Sequence, residues 1–319
     1  MPVPRPAFAV AARLFVGIGL AMALSGCSLK TMAINSLASS LSAGGTAFTA
    51  DDDPDLVKAA IPALLKVYDS FLDASPNNPN LLLGSCNGYV SYSYAFLDVE
   101  STVLGEEHHD DSKRLRDEAV KLYLRARDNC VKALNIKYDG LATKMEAPGA
   151  DPVKLLARIH DKDDIPYLYW TAAAWGSAMS LRKDPDLIID FPIVRALAER
   201  AMAIDETWGK GSLHELMITL DSLGELYGGS EASARKHFAR AVEIEGGNSA
   251  APYVSFALGI DVAKPDRAEF EKMMNTALAI DVDKDKSIRL VNIITQRLAK
   301  SQLARIDDIF PKSPGGPHP

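Results

Sequence analysis

The chain has 319 residues with 35 Lys and Arg against 42 Asp and Glu, a net charge of −7, and an apolar fraction of 47%. That length supports one large domain or two ordinary ones with a real core. A mildly acidic chain without a basic block excludes nucleic acid as a partner on electrostatic grounds.

The N-terminus is a predicted export signal. Arg5 and Arg13 are the early charges, an apolar run spans Leu14 to Leu24, and Ser25-Gly26-Cys27 follows. A charged start, a short apolar stretch and small residues before a cleavage point make a secretory signal. The run falls short of the roughly 20 apolar residues a membrane-spanning helix needs. Leu24-Ser25-Gly26-Cys27 matches a bacterial lipobox, so cleavage after residue 26 and lipidation of Cys27 are expected. Several acyl chains such as palmitate bury enough methylene groups for stable membrane attachment. Ser28, rather than aspartate, follows the cysteine and resembles an outer-membrane address. The expected location is therefore periplasmic, lipid-anchored at the outer membrane.

Residues 27–50 are small and weakly amphipathic, and are read as a tether. Asp51-Asp-Asp-Pro54 predicts a helix start, with carboxylates at the positive end of the dipole and proline in the first turn. From there to residue 310 apolar residues recur at three and four, without a period-two run, which predicts an all-α domain over 51–310. Residues 311–319 are expected to be a disordered tail. Cys86 and Cys130 both lie inside apolar helical patterns. An oxidising compartment permits a disulfide between them, and buried free cysteines are also common.

One phrase recurs four times: Ala133-Leu-Asn-Ile, Ala201-Met-Ala-Ile, Ala241-Val-Glu-Ile and Ala277-Leu-Ala-Ile, at spacings of 68, 40 and 36 residues. Seven and three residues before each alanine stand Ala126 and Cys130, Val194 and Ala198, Ala234 and Phe238, Phe270 and Met274. This face resembles the second helix of a tetratricopeptide repeat. Leu223-Gly224-x-x-Tyr227 and Trp175-Gly176-x-x-Met179 echo its first helix. Such hairpins cannot bury their apolar sides alone and must stack into a solenoid with a concave surface or channel.

Larger segments carry a more specific likeness. They are Asn77-Asn-Pro79-Asn-Leu-Leu-Leu before Tyr89-x-x-Tyr92-x-Tyr94-Ala-Phe96, then Tyr169-Trp170-Thr-Ala-Ala-Ala-Trp175-Gly176 with Lys183-Asp-Pro-Asp186. They continue with Gly228-Gly229-Ser-Glu231 running into Ala234–Ala241, and with Arg289-Leu-Val-Asn292 through Asp308-Ile-Phe310. In this order they resemble the TRAP transporter T-component (TatT) family over residues 54–310. The resemblance implies tetratricopeptide-like hairpins around a pore or cavity, a homotrimer, and a non-enzymatic accessory role. It also implies a periplasmic solute-binding protein as partner and a small organic acid or hydrophobic molecule as ligand. Cys130 and the polar Gly105–Asp111 connection depart from the family pattern. The alternative on the repeats alone is an open-grooved scaffold or adaptor in envelope assembly.

Chemistry-bearing clusters are weak. His108-His109-Asp110-Asp111 and His160-Asp161-Lys-Asp163-Asp164 place adjacent side chains about 100° apart on a helix, which suits helix starts rather than one ion. Asp281-x-Asp283-x-Asp285 lacks the glycine and glutamate of a calcium loop. No nucleophile elbow, zinc-protease motif or phosphate loop is present, so no cofactor, metal or catalytic residue is assigned. His214 and His237, among charged neighbours, are read as surface residues. Tyr89 and Tyr92, three apart, and Trp170, turned 140° from a core-facing Trp175, are the candidate lumen and ligand residues.

Overall fold

The computed structural model describes residues 46–182 and 188–311. The signal segment, Cys27, most of the tether, Lys183–Asp186 and the tail from residue 312 lie outside the described residues.

Helix α1, Pro54–Ala74, begins where the sequence places it: the Asp53 carboxylate accepts from the N–H groups of Asp55 and Leu56, and Pro54 occupies the first turn. Asn78 caps α2, Pro79–Ser93, in the same way. α2 continues through a π-helical turn, Tyr94–Asp98, into Val99–Leu104. Next come α3, His109–Lys137, and the short helices α4, Leu141–Met145, and α5, Pro152–Leu156. They lead to α6, Ile165–Arg182, and α7, Phe191–Ile204. The last elements are α8, Ser212–Ser222; α9, Glu231–Glu245; α10, Ala251–Phe256, extended by a π turn, Ala257–Asp261; α11, Arg267–Leu278; and α12, Arg289–Ala304. The described residues are all-helical, with no strand.

The recurring phrase marks the second helix of each successive pair. Ala133, Ala201, Ala241 and Ala277 are all fully buried near the ends of α3, α7, α9 and α11. A methyl group at this position lets neighbouring helices approach closely, while Val194, Phe270 and Met274 fill the space one or two turns earlier. Gly176 on α6 serves the same approach: a Cβ there would stand 3.4 Å from Val194 Cγ1 on α7. The second echo falls elsewhere. Leu223-Gly224-x-x-Tyr227 is the turn between α8 and α9, where Gly224 has a φ of +89°.

The pairs are held in order by side chains that reach the next backbone. The buried Asn292 amide donates to Asn248 O at 2.9 Å, and its oxygen accepts from Ala250 N at 2.9 Å, which seats α12 against the start of α10. Gln296 Nε2 donates to Ala277 O and Ile280 O at the end of α11, where helix carbonyls lack internal partners. The two ends of the domain also meet. Val57, Phe96 and Val99 from the N-terminal helices share one apolar core with Val254, Phe270, Leu290 and Leu298.

Cys86 on α2 and Cys130 on α3 are joined by a disulfide. Asp164, which the sequence places in a cap before α6, is instead buried. It accepts a hydrogen bond from the Tyr138 hydroxyl and pairs with Lys137 at the end of α3.

Candidate functional site

The three aromatic residues read from the sequence occupy different surroundings. Tyr89 is buried between α1, α2 and α3; its hydroxyl donates to Asp69 at 3.0 Å and the Arg125 guanidinium lies 4.7 Å from its ring centre. Burial, then the Asp69 charge, pushes that hydroxyl up to about 12. Tyr92 is half-buried and packs on Phe96, ring centres 5.7 Å apart. Trp170 is half-buried edge-on to Tyr169 at 4.9 Å, while Trp175 is in the core.

A different set converges from four parts of the chain. Tyr94, in the π turn of α2, keeps 41% of its surface accessible. Its hydroxyl is nonetheless surrounded by protein, and this desolvation, reinforced by the charges of Asp98 and Glu215, raises it well above the usual tyrosine range. Tyr169 on α6 has the same character: half-buried by accessible surface, wrapped by protein, and pushed up by desolvation and by Glu215, with Ser212 beside its hydroxyl. Its ring is 5.0 Å from that of Trp208.

Carboxyl groups complete the set. Asp98, one turn beyond Tyr94, accepts from the Tyr123 hydroxyl at 3.3 Å, and desolvation lifts it to about 6. Glu215 on α8 and Glu245 at the end of α9 influence each other's titration, and Glu245 Oε2 is buried without a hydrogen-bond partner. Desolvation, then Glu215, lifts Glu245 to about 10; desolvation raises Glu215 as well. Ser249 acts to lower Glu245, and Tyr253 on α10 is raised by burial and then by the Glu245 charge.

The histidines are not surface residues. His214 is 3% exposed, and its Nδ1 lies 2.9 Å from His237 Nδ1, so the pair shares one proton between α8 and α9. Charged neighbours suggested a surface position, but two charged residues, the half-exposed Glu206 and the buried Asp221, are partners of this pair. Glu206 stands 3.4 Å from His214 Nε2, and Asp221, fully buried and paired with Arg195 at 2.9 Å, stands 3.8 Å from His237 Nε2. Desolvation lowers both imidazoles.

The open surface grooves are lined by charges that satisfy one another. One holds Arg235 between Glu231 and Glu269, with Lys264 on Glu231. The described residues contain no group of three or more His, Cys, Asp or Glu arranged to hold a metal. They include no helix long and apolar enough to cross a membrane.

The family model of the TRAP transporter T-component matches residues 50–310, the whole of this helical body. The chain belongs to the TRAP transporter T-component family. It is also 25% identical over 303 residues to an uncharacterized protein of Treponema pallidum (strain Nichols), covering 90% of this chain and 94% of that one. As a T-component, the protein serves a transporter rather than a known catalytic reaction.

Proposed function

We propose that this T-component is a periplasmic lipoprotein, held by lipid on Cys27 at the outer membrane, that docks the solute-binding protein of a TRAP transporter. Its helices surround a lumen that holds or passes the ligand, and the homotrimer implied by the family resemblance is its assembled form. The observation that carries the lumen is the meeting of the domain's two ends, where Ser301 Oγ donates to Val103 O and Arg305 to Thr102 O.

The contact between the domain's two ends favours this reading over the open-grooved adaptor, because a concave face is closed off when its ends meet. The Cys86–Cys130 disulfide supports an oxidising compartment. Crosslinking in intact cells, followed by purification of the T-component from the periplasmic fraction, is expected to recover a solute-binding protein. Repeated recovery of none, with the T-component itself well crosslinked, argues against the docking role.

A further inference from the structure

The two most exposed large apolar side chains among the described residues are Leu226, at 88%, and Ile189, at 75%. One exposed leucine alone carries no meaning, but these two belong to the same edge of the domain. Phe191, two residues after Ile189, and Tyr227, next to Leu226, meet edge-on with ring centres 5.2 Å apart. Leu223 and Val262 are exposed on this edge as well. They stand in the α8–α9 and α10–α11 connections, which come together where Lys264 Nζ meets Glu231 Oε2 at 2.7 Å.

The turn that carries Leu226 is fixed from beneath. Arg195 Nε donates to Tyr227 O at 3.0 Å, and Gly229 N donates to Gly224 O at 3.1 Å. Gly229 lies so close to the end of α8 that a Cβ there would fall 2.4 Å from Asp221 O. Leu226 is thus held out in one position, and a partner that covers it buries apolar surface without first ordering a loop.

Beside this turn runs a groove of about 570 Å³, lined by Gly224, Glu225 and Ser230, by Glu231 and Arg235 of α9, and by Lys264. Its cations are already engaged. Arg235 bonds Glu231 at 2.9 Å and Glu269 at 2.6 Å, and Lys264 bonds Glu231. Glu225 is exposed and has no ion pair among the described residues. Asp266, which caps α11 by accepting from Glu269 N at 2.9 Å, adds a further carboxylate. The groove is therefore acidic, and Glu225 is the charge left to meet a partner.

We propose that this edge, with Leu226 at its centre and Ile189, Leu223, Val262 and the Glu225 groove around it, is where the solute-binding protein docks. The proposal rests on the docking role above and names its surface. The partner presents an apolar side chain to the leucines and a lysine or arginine to Glu225. Charge selects this occupant over two others. Anionic lipid headgroups, and the same edge of a second copy, each meet like charge in the groove.

The path of the chain points the same way. The N-terminal segment reaches the body where Asp52 pairs with Arg289, the first residue of α12, at 2.9 Å. The 16 residues of α12 then lead away over about 24 Å. Beyond its end Asp307 pairs with Arg267 at 2.5 Å, three residues after Lys264 of the groove. The tether therefore enters at one end of α12 and the groove lies at the other. A soluble partner reaches that far edge without competing with the membrane for it.

The test places a benzophenone-bearing residue at Leu226 or, as a control, at Val153, which is 64% exposed. Val153 lies in the connection whose Lys162 pairs with Asp205 at the far end of α7. Irradiation of intact cells is expected to join the TRAP solute-binding protein of the same bacterium to position 226 and not to 153. Leu226→Asp and Glu225→Lys are each expected to weaken binding of that purified protein at least about tenfold, with the melting temperature unchanged. Crosslinking from 153 alone, or both variants binding as the wild type does, overturns this surface and leaves the docking role standing. Position 226 joined only to a second copy, or only to lipid, overturns it in favour of that occupant. A wild type that neither binds nor crosslinks the solute-binding protein overturns the docking role together with the surface.

Discussion

Arg305 donates from its guanidinium to the carbonyl of Thr102, 203 residues earlier in the chain, at 2.5 Å. Ser301 Oγ adds a bond to Val103 O at 3.1 Å. Gly105 makes the approach possible: at a φ of +65° it ends the helix, and a Cβ there would fall 1.4 Å from Arg305 Nη1. Gly105→Ala is therefore expected to displace Arg305 as well as strain the backbone, the latter by about 1 kcal/mol. Hydrogen exchange should show Val99–Leu104 and α12 losing protection together. Loss at Val99–Leu104 with α12 unchanged means that the end-to-end contact does not depend on this pair.

Much of the fold was legible in the sequence because its signals are local. The helix start at Asp51-Asp-Asp-Pro54 follows from residue type, and the buried alanine of each second helix from three- and four-residue spacing. The inner site was less legible for two reasons. Tyr94 lies two residues past Tyr92, about 200° around the helix and so off the Tyr89 and Tyr92 stripe, and the π turn at Tyr94–Asp98 rotates the residues beyond it by about a further 100°. Glu215 and Glu245 lie on different helices, each in a polar context typical of a solvated face. Only their meeting across the α8–α9 pair makes them unusual, and no local spacing encodes that meeting.

The disulfide closes a 44-residue separation between α2 and α3. Loop-closure entropy for that length gives a stabilisation of about 4 kcal/mol, in a model that treats the effect as acting on the unfolded chain. Replacing both cysteines by serine is expected to lower stability by about 2–4 kcal/mol in denaturant unfolding. A loss below about 0.5 kcal/mol runs against a constraint of this kind.

The pair of Arg195 and Asp221 predicts a larger cost for breaking than for replacing. Arg195 also donates to Tyr227 O at 3.0 Å and to Leu220 O at 3.2 Å, tying α7 to the α8–α9 turn. Asp221→Ala leaves a largely buried guanidinium without its carboxylate and is expected to cost about 3–5 kcal/mol. Combining it with Arg195→Met is expected to recover much of that loss. Additive destabilisation by the two changes contradicts the pairing.

Asp261 ends the second π turn, is 1% exposed, and is raised to about 7 by desolvation and then by Glu269. An acid whose folded value lies above its unfolded one keeps its proton in the native state. Its contribution is complete below about pH 4 and is lost as pH rises towards 7. Asp261→Asn retains a neutral side chain, so its melting temperature is expected to decline less than that of the wild type between about pH 5 and pH 7.5. Parallel curves for the two proteins contradict this assignment.

His214 and His237 act in the opposite direction. Desolvation lowers both, so the native state favours the neutral pair, in which one ring's Nδ1–H donates to the other's Nδ1 across their 2.9 Å contact. The unfolded chain takes up protons near the ordinary histidine value of about 6.5. Stability from this pair is therefore full above about pH 6.5 and is lost as pH falls below it. Protonating both rings places two imidazolium groups Nδ1 to Nδ1, and that repulsion acts at the joint between α8 and α9, the helices that also carry Glu215 and Glu245. His237→Gln is expected to flatten the acid side of the stability curve between about pH 6.5 and pH 5 relative to the wild type. Nuclear magnetic resonance titration of the ring protons should give both histidines midpoints below 6.5. A midpoint above that value for either one shows that a carboxylate partner, Glu206 or Asp221, outweighs desolvation, and reverses the expected slope.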